Sequence, residues 1–384
     1  MFAYLMKNLP ANKYLVGISN VFITLLPVSL MSSFSLLASN GADFFEWTRV
    51  SKELSMISSI LVQLFPVLLT VFFSQYLATL HRQPVVAIIT ASILLYFIIC
   101  LQWGLLHEGS IIPINFPFAI FIPIVVCFCY QRLQSLTFLN DTNLPNVVER
   151  SIHLVISVCI VISICLGISY GLKYLISDTL HLSFTMPELD PMSLFDGIVY
   201  EFMRGTLWSI GVNGHVILAS YKIELFRVTS ESFALFEAGV RTMPILTSNF
   251  YDFYTGMGGA GNTLSLVICV LLFAKNKGYR TLAKASLLLS IFNINEPILY
   301  GLPIMFNPIM IIPFLLVPIV GLLIAYFATL WGIVPPIMEV VSWMTPPIIG
   351  GYLGTGGALS GSLLQCIILL VGIVIYYPFF NANG

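Results

Sequence analysis

Five consecutive residues, Asn293-Ile294-Asn295-Glu296-Pro297, set a carboxylate and two carboxamides inside the apolar stretch SIFNINEPILYGLPIMFNPIMIIPF. A carboxylate in such a run costs at least about 2.5–3.5 kcal/mol at the centre of a bilayer and marks a functional site by default. Pro297 removes a backbone donor and bends the chain there. Asn293 and Asn295 place amide donors and acceptors beside Glu296. That set suits a ligand made of hydroxyls. The competing reading makes Glu296 a cap on a cytoplasmic helix end near Lys284.

A second group is Trp208-Ser209-Ile210-Gly211-Val212-Asn213-Gly214-His215. An indole ring stacks on the apolar face of a sugar, and Asn and His bond to its hydroxyls. An interfacial tryptophan with a histidine at the membrane edge explains the same residues equally well. Third, Gly258-Gly259-Ala260-Gly261-Asn262-Thr263 is neither a GxGxxG nor a P-loop pattern, so its small residues read as a point of close helix approach. Fourth, Trp343-Met344-Thr345-Pro346-Pro347, followed by Gly350-Gly351, reads as a re-entrant turn. The candidate substrate contacts are Trp208, Asn213, His215, Asn293, Asn295, Glu296, Trp343 and Thr345, with Glu296 the candidate catalytic group. His81, His107, His153 and His181 read as loop or interface residues. All seven cysteines lie within apolar runs and read as packing rather than as metal ligands, so no metal or cofactor is expected.

The elements that must carry these residues are membrane helices. Of the 384 residues 58% are hydrophobic and only 9% charged, against about 25% charged in an average soluble domain. A mean hydropathy of +0.96 over the whole length needs lipid as a second apolar solvent. The fold class expected is an all-α polytopic membrane protein with about ten spans plus re-entrant hairpins. Spans are expected at 14–39, 55–80, 84–102, 113–131, 150–176, 258–274, 286–305, 307–331 and 358–380. The stretches 194–220 and 333–356 are apolar but broken by Gly, Pro and polar residues. A net charge of −1 without a Lys/Arg run gives no sign of nucleic-acid binding. The first seventeen residues lack a signal-peptide cleavage pattern, so the first span is expected to be retained.

Basic residues set the orientation. Lys7 and Lys13, the pair His81-Arg82, Arg132 with Arg150, and the cluster Lys275, Lys277, Arg280 and Lys284 alternate with basic-poor loops at 106–110 and 177–191. The N-terminus and the 275–284 loop are therefore expected in the cytoplasm. Residues 1–176 read as a scaffold half of ordinary spans. Residues 177–384 hold most Gly-Gly and Pro-Pro pairs and the mid-membrane polar residues, and interrupted spans are the best sequence pointers to a transport site.

These motifs resemble a known family. NINEPILYGLPIMFNPIMIIPFLLVPIV looks like the signature of the membrane-embedded enzyme IIC component of the bacterial sugar phosphotransferase system, lactose/cellobiose type. The resemblance continues through FYDFYTGMGGAGNTL, WMTPPIIGGYLGTGGALSG and the terminal IYYPFF; it is dense over 245–380 and sparse but collinear before that. It implies a homodimer in the inner membrane, formed through the N-terminal half. It implies a C-terminal half that carries the sugar, and a cytosolic IIB partner that phosphorylates it. By resemblance Glu296 matches the family glutamate that bonds the sugar, while Trp208 and Trp343 match pocket aromatics. The sequence departs at Asn213, where the family usually has the histidine of Trp-Ser-Ile-Gly-Ile-His-Gly. Asparagine cannot take up a proton near neutral pH. Three functions are left open: a permease working with IIB, a sugar-sensing receptor of the same fold, and a secondary transporter.

Overall fold

The computed structural model describes residues 13–104, 112–133, 146–175, 189–190, 192–211, 214, 218–237, 244–302 and 304–383. Among them the regular structure is helical, with no strand. Asn213 and His215, and the loops at 105–111 and 176–188, lie outside the described residues.

Five long helices come first: α1 (Lys13–Phe44), α2 (Thr48–Leu80), α3 (Val85–Gln102), α4 (Phe116–Leu133) and α5 (Asn146–Tyr174). After them come α6 (Leu194–Ser209), α7 (Ala219–Glu237) and the short α8 (Ser248–Phe250), which runs into a π-helical turn at Tyr251–Thr255. Then follow α9 (Thr263–Phe273), α10 (Lys277–Ile291), α11 (Glu296–Gly301), α12 (Pro308–Leu330), α13 (Ile349–Gly354) and α14 (Leu359–Asn383). Seven of the described helices are long and apolar enough to cross a membrane: α1 to α4, the 152–174 part of α5, α12 and the 359–381 part of α14. The protein is a multi-pass membrane protein.

The chain divides into two compact bodies. One holds α1 up to residue 32, α2 from residue 56, and α3 to α5. Its core is Phe65, Leu69, Phe73, Leu77, Tyr96 and Val126. Two of its buried polar side chains are satisfied within the body. Gln83 Nε2 donates to the Cys127 carbonyl at 2.9 Å, and the Tyr96 hydroxyl donates to the Pro113 carbonyl at 2.6 Å.

The other body holds residues 33–55 and everything described from 189 onward. Residues 33–55 form a helical hairpin pinned by serines: Ser35 Oγ donates to the Leu54 carbonyl at 2.7 Å and Ser39 Oγ to the Ser51 carbonyl at 2.9 Å. Tyr200, Tyr221, Tyr251, Phe250 and Phe253 build an aromatic core. Here the sequence reading is corrected. The stretch 286–305, expected as one span, is two helices, α10 and α11, with a break between them. Asn293 sits in the break with φ +62°, a left-handed conformation that asparagine tolerates better than most residues. The expected span 258–274 likewise contains only the 11 residues of α9, preceded by the glycine turn.

Candidate functional site: a polar cavity in the second body

The site grows from that break. Asn293 Oδ1 accepts the Gly258 N–H at 2.8 Å, and its Nδ2 donates to the Trp343 carbonyl at 2.5 Å and, more weakly, to the Thr345 carbonyl at 3.4 Å. One buried amide thus joins the glycine turn, the NINEP break and the WMTPP stretch. Asn295 Nδ2 donates to the Ala260 carbonyl at 3.0 Å. Irregular backbone at membrane depth must find partners inside the protein, and these two side chains supply them. The glycine turn closes just as tightly. A Cβ at Gly259 (φ +96°) would fall 2.6 Å from Asn295 Cγ, and one at Gly261 (φ +81°) 2.2 Å from the Phe314 ring.

These segments line a partly open cavity of about 180 Å³. Its wall comprises Trp208, Asn293, Asn295, Glu296 and Trp343, together with Arg204, Asp252, Leu36 and the backbone of Gly256, Gly259, Ala260 and Ile294. Five of the eight expected contact residues therefore share one wall. Thr345 is not in it; its carbonyl serves Asn293 instead. Trp343 is about half exposed, at 48%. Two wall atoms are buried without a protein partner: the indole Nε1 of Trp208 and Oε2 of Glu296. One is a donor, the other an acceptor. Buried polar atoms are almost always hydrogen-bonded, and on the cavity wall this pair offers one donor and one acceptor to an occupant.

Sequence reasoning missed a charged pair at the wall, Arg204 lining it and Glu201 outside the lining. Arg204 and Glu201, on α6, form an ion pair at 2.7 Å with side chains 3% and 1% exposed. Thr255 Oγ1 donates to Glu201 Oε1 at 2.7 Å, and an Arg204 amino group reaches Thr255 Oγ1 at 3.3 Å. A signal existed: Glu201, Arg204 and Trp208 are spaced three and four apart in LFDGIVYEFMRGTLWS, which puts them on one helix face.

Apolar helices long enough to span, interrupted segments and a partly open cavity with polar wall groups describe a multi-pass membrane protein. Its family follows from comparison. A family model for "Phosphotransferase system, EIIC" matches residues 19–318, and the chain belongs to that family of sugar permeases. The lichenan permease IIC component of Bacillus subtilis (strain 168) is 36% identical over 198 residues, covering 50% of this chain and 44% of that protein. The match thus spans less than half of that relative's length. The oligo-beta-mannoside-specific EIIC component of the same organism is 28% identical over 400 residues, covering 97% of this chain and 90% of that one. A crystal structure of the IIC component from an N,N'-diacetylchitobiose-specific phosphotransferase system is 24% identical, covers 98% of this chain and 96% of that one, and superposes with a TM-score of 0.49.

Proposed function

We propose that this chain binds a β-linked disaccharide or similar small sugar in the cavity of its second body and carries it inward for phosphorylation by a phosphorylated IIB partner. The observation that carries this reading is the pair of unpartnered buried atoms, Trp208 Nε1 and Glu296 Oε2, on one cavity wall. The names of its relatives, lichenan and oligo-beta-mannoside, point to the same ligand class. In this reading Trp208 and Trp343 flank the ring, Glu296 accepts a sugar hydroxyl, and Asn293 and Asn295 hold the wall in shape. Asn213 and His215 remain candidates for the hydroxyl to be phosphorylated. Residues 1–176 serve as scaffold and homodimer contact, and 177–384 as the transport half. The N-terminus and the 275–284 loop face the cytoplasm of the bacterial cell.

Calorimetry with a panel of β-linked sugars tests the reading. A hydrogen bond to a charged acceptor contributes roughly 1.5–3 kcal/mol. Glu296→Gln is therefore expected to weaken binding some thirtyfold, for a loss of about 2 kcal/mol, while the protein still inserts. Unchanged affinity in that variant would remove Glu296 from the site.

A second reading, a sugar receptor that does not phosphorylate, is favoured by one residue: Asn213 stands where the family usually has histidine. Phosphate transfer from a phosphorylated IIB protein in membrane vesicles separates the two. Slow native transfer that Asn213→His accelerates supports the receptor. Fast native transfer supports the permease, with the proton taken by another group.

A further inference from the structure

Asp252 is the cavity residue that neither the fold nor the reading above employs. It sits in the π-helical turn Tyr251–Thr255, whose backbone is closed by the Gly256 N–H donating to the Tyr251 carbonyl at 2.8 Å. Such turns shift the register of an α-helix and recur at functional sites. The residues around Asp252 are clamped. Asn249 Nδ2 donates to the Val341 carbonyl at 2.7 Å, Gln365 Nε2 donates to the Phe253 carbonyl at 2.7 Å, and Thr255 is held by Glu201. The carboxylate of Asp252 itself makes no hydrogen bond or ion pair among the described residues.

Arg204 and Lys222 act on it through space, but neither pairs with it directly. Arg204, beside it in the wall, is bound to Glu201 and Thr255. Lys222 lies over the Phe226 ring at 5.7 Å. An ionisable side chain is costly in a membrane protein and is placed there for a purpose. One held on a clamped backbone, with its acceptor capacity unused and facing a cavity, is preorganised for a ligand.

We infer that Asp252 is a second substrate-binding carboxylate of this cavity, accepting a hydroxyl of the sugar different from the one that Glu296 accepts. The inference rests on the sugar-binding reading above. A hydroxyl carries one proton and can donate to one acceptor, so two carboxylates in one cavity require two hydroxyl donors. Trp208 Nε1 then requires an oxygen acceptor. The ligand this wall selects is a ring with at least two free hydroxyls held at fixed positions, and a sugar blocked at either one is discriminated against.

The test is a cycle between protein and ligand. Affinities of the parent sugar and of its single-position deoxy analogues are measured by calorimetry for the native protein, Asp252→Asn and Glu296→Gln. In the native protein two different deoxy positions are expected to cost about tenfold or more each. Asp252→Asn should weaken the parent sugar about tenfold yet leave unchanged its affinity for one of those two analogues. Glu296→Gln should do the same for the other. Coupling confined to one hydroxyl position, and to a different position for each carboxylate, marks direct contact rather than a change shared through the cavity. A merely structural role for Asp252 would weaken every ligand alike, and that outcome overturns the inference, as does unchanged affinity in Asp252→Asn. If Asp252→Asn does not fold, Asp252→Ser takes its place in the cycle, and sensitivity of the native protein to a single hydroxyl position overturns the inference by itself. Coupling at Glu296 without coupling at Asp252 defeats this inference alone. A native protein that binds no sugar of the panel defeats the sugar-binding reading with it.

Discussion

The two bodies solve the same solvent problem differently. In the first, helices run long and unbroken, and residues with positive φ occur at turns between helices, as at Arg82 and Gly104. In the second, Asn262, Asn293 and Ile348 take positive φ in the middle of apolar sequence. The first body satisfies its backbone within each helix and uses side chains such as Gln83 to join helices. The second frees backbone groups and must satisfy them with buried side chains: Asn293, Asn295, Asn249 and Gln365. The lesson is that polar side chains of the second body both satisfy backbone groups and line a cavity, and that residue type alone does not separate the two.

Three substitutions sharpen that contrast. The largest effect is expected at Arg204→Met, which leaves Glu201 buried and uncompensated. Breaking a buried pair from one side costs about 3–5 kcal/mol, seen as a large fall in melting temperature in detergent. The double variant Arg204→Met with Glu201→Gln should recover much of the loss. If Arg204→Met alone melts like the native protein, the pair is not a structural element of the second body.

Gly261→Ala comes next. The added Cβ meets the Phe314 ring at 2.2 Å from a φ of +81°. Overpacking and a disallowed backbone together cost roughly 2–3 kcal/mol. Sugar affinity should fall with stability, because the neighbouring Gly259 and Ala260 line the cavity. A variant with native melting and native affinity would show that the turn is looser than its geometry implies.

The smallest effect belongs to Ser32→Ala in the first body. Ser32 Oγ meets the Ser58 hydroxyl at 3.2 Å between α1 and α2. A neutral hydrogen bond of this kind contributes roughly 0.5–1.5 kcal/mol, and sugar affinity should not move. A drop in affinity would break the assignment of binding to the second body.

Much of this was legible in the chain. Composition alone specified a helical membrane protein, because no soluble core accommodates so much apolar sequence. Glu296, Trp208 and Trp343 stood out as a carboxylate and aromatics beside Gly and Pro. Asp252 did not, since in FYDFYTG it reads as one polar residue in an aromatic run. Only the π-turn and the cavity give it a role. Nor did sequence reveal that the amides of Asn293 and Asn295 serve backbone groups of distant segments. Asn293 and its Trp343 partner are fifty positions apart, and such pairing is a property of the folded chain. The break at Asn293 was hidden because hydropathy averages over it.

Gln365 carries a consequence for the order of assembly. Its Oε1 accepts the N–H of Ile348 at 2.7 Å and of Gly351 at 2.8 Å, and it lies fully buried in α14. Ile348 has a φ of +76°, unfavourable for a branched side chain. Two donors of the turn that follows Trp343 are therefore satisfied by a helix synthesised after it, while Gly350 and Tyr352 donate within the segment itself. A nascent chain emerging as far as α13 holds every residue of the cavity wall and yet lacks the group that fixes the turn. A chain truncated before Gln365 is therefore expected to lose the two hydrogen bonds that hold Ile348 and Gly351 in place.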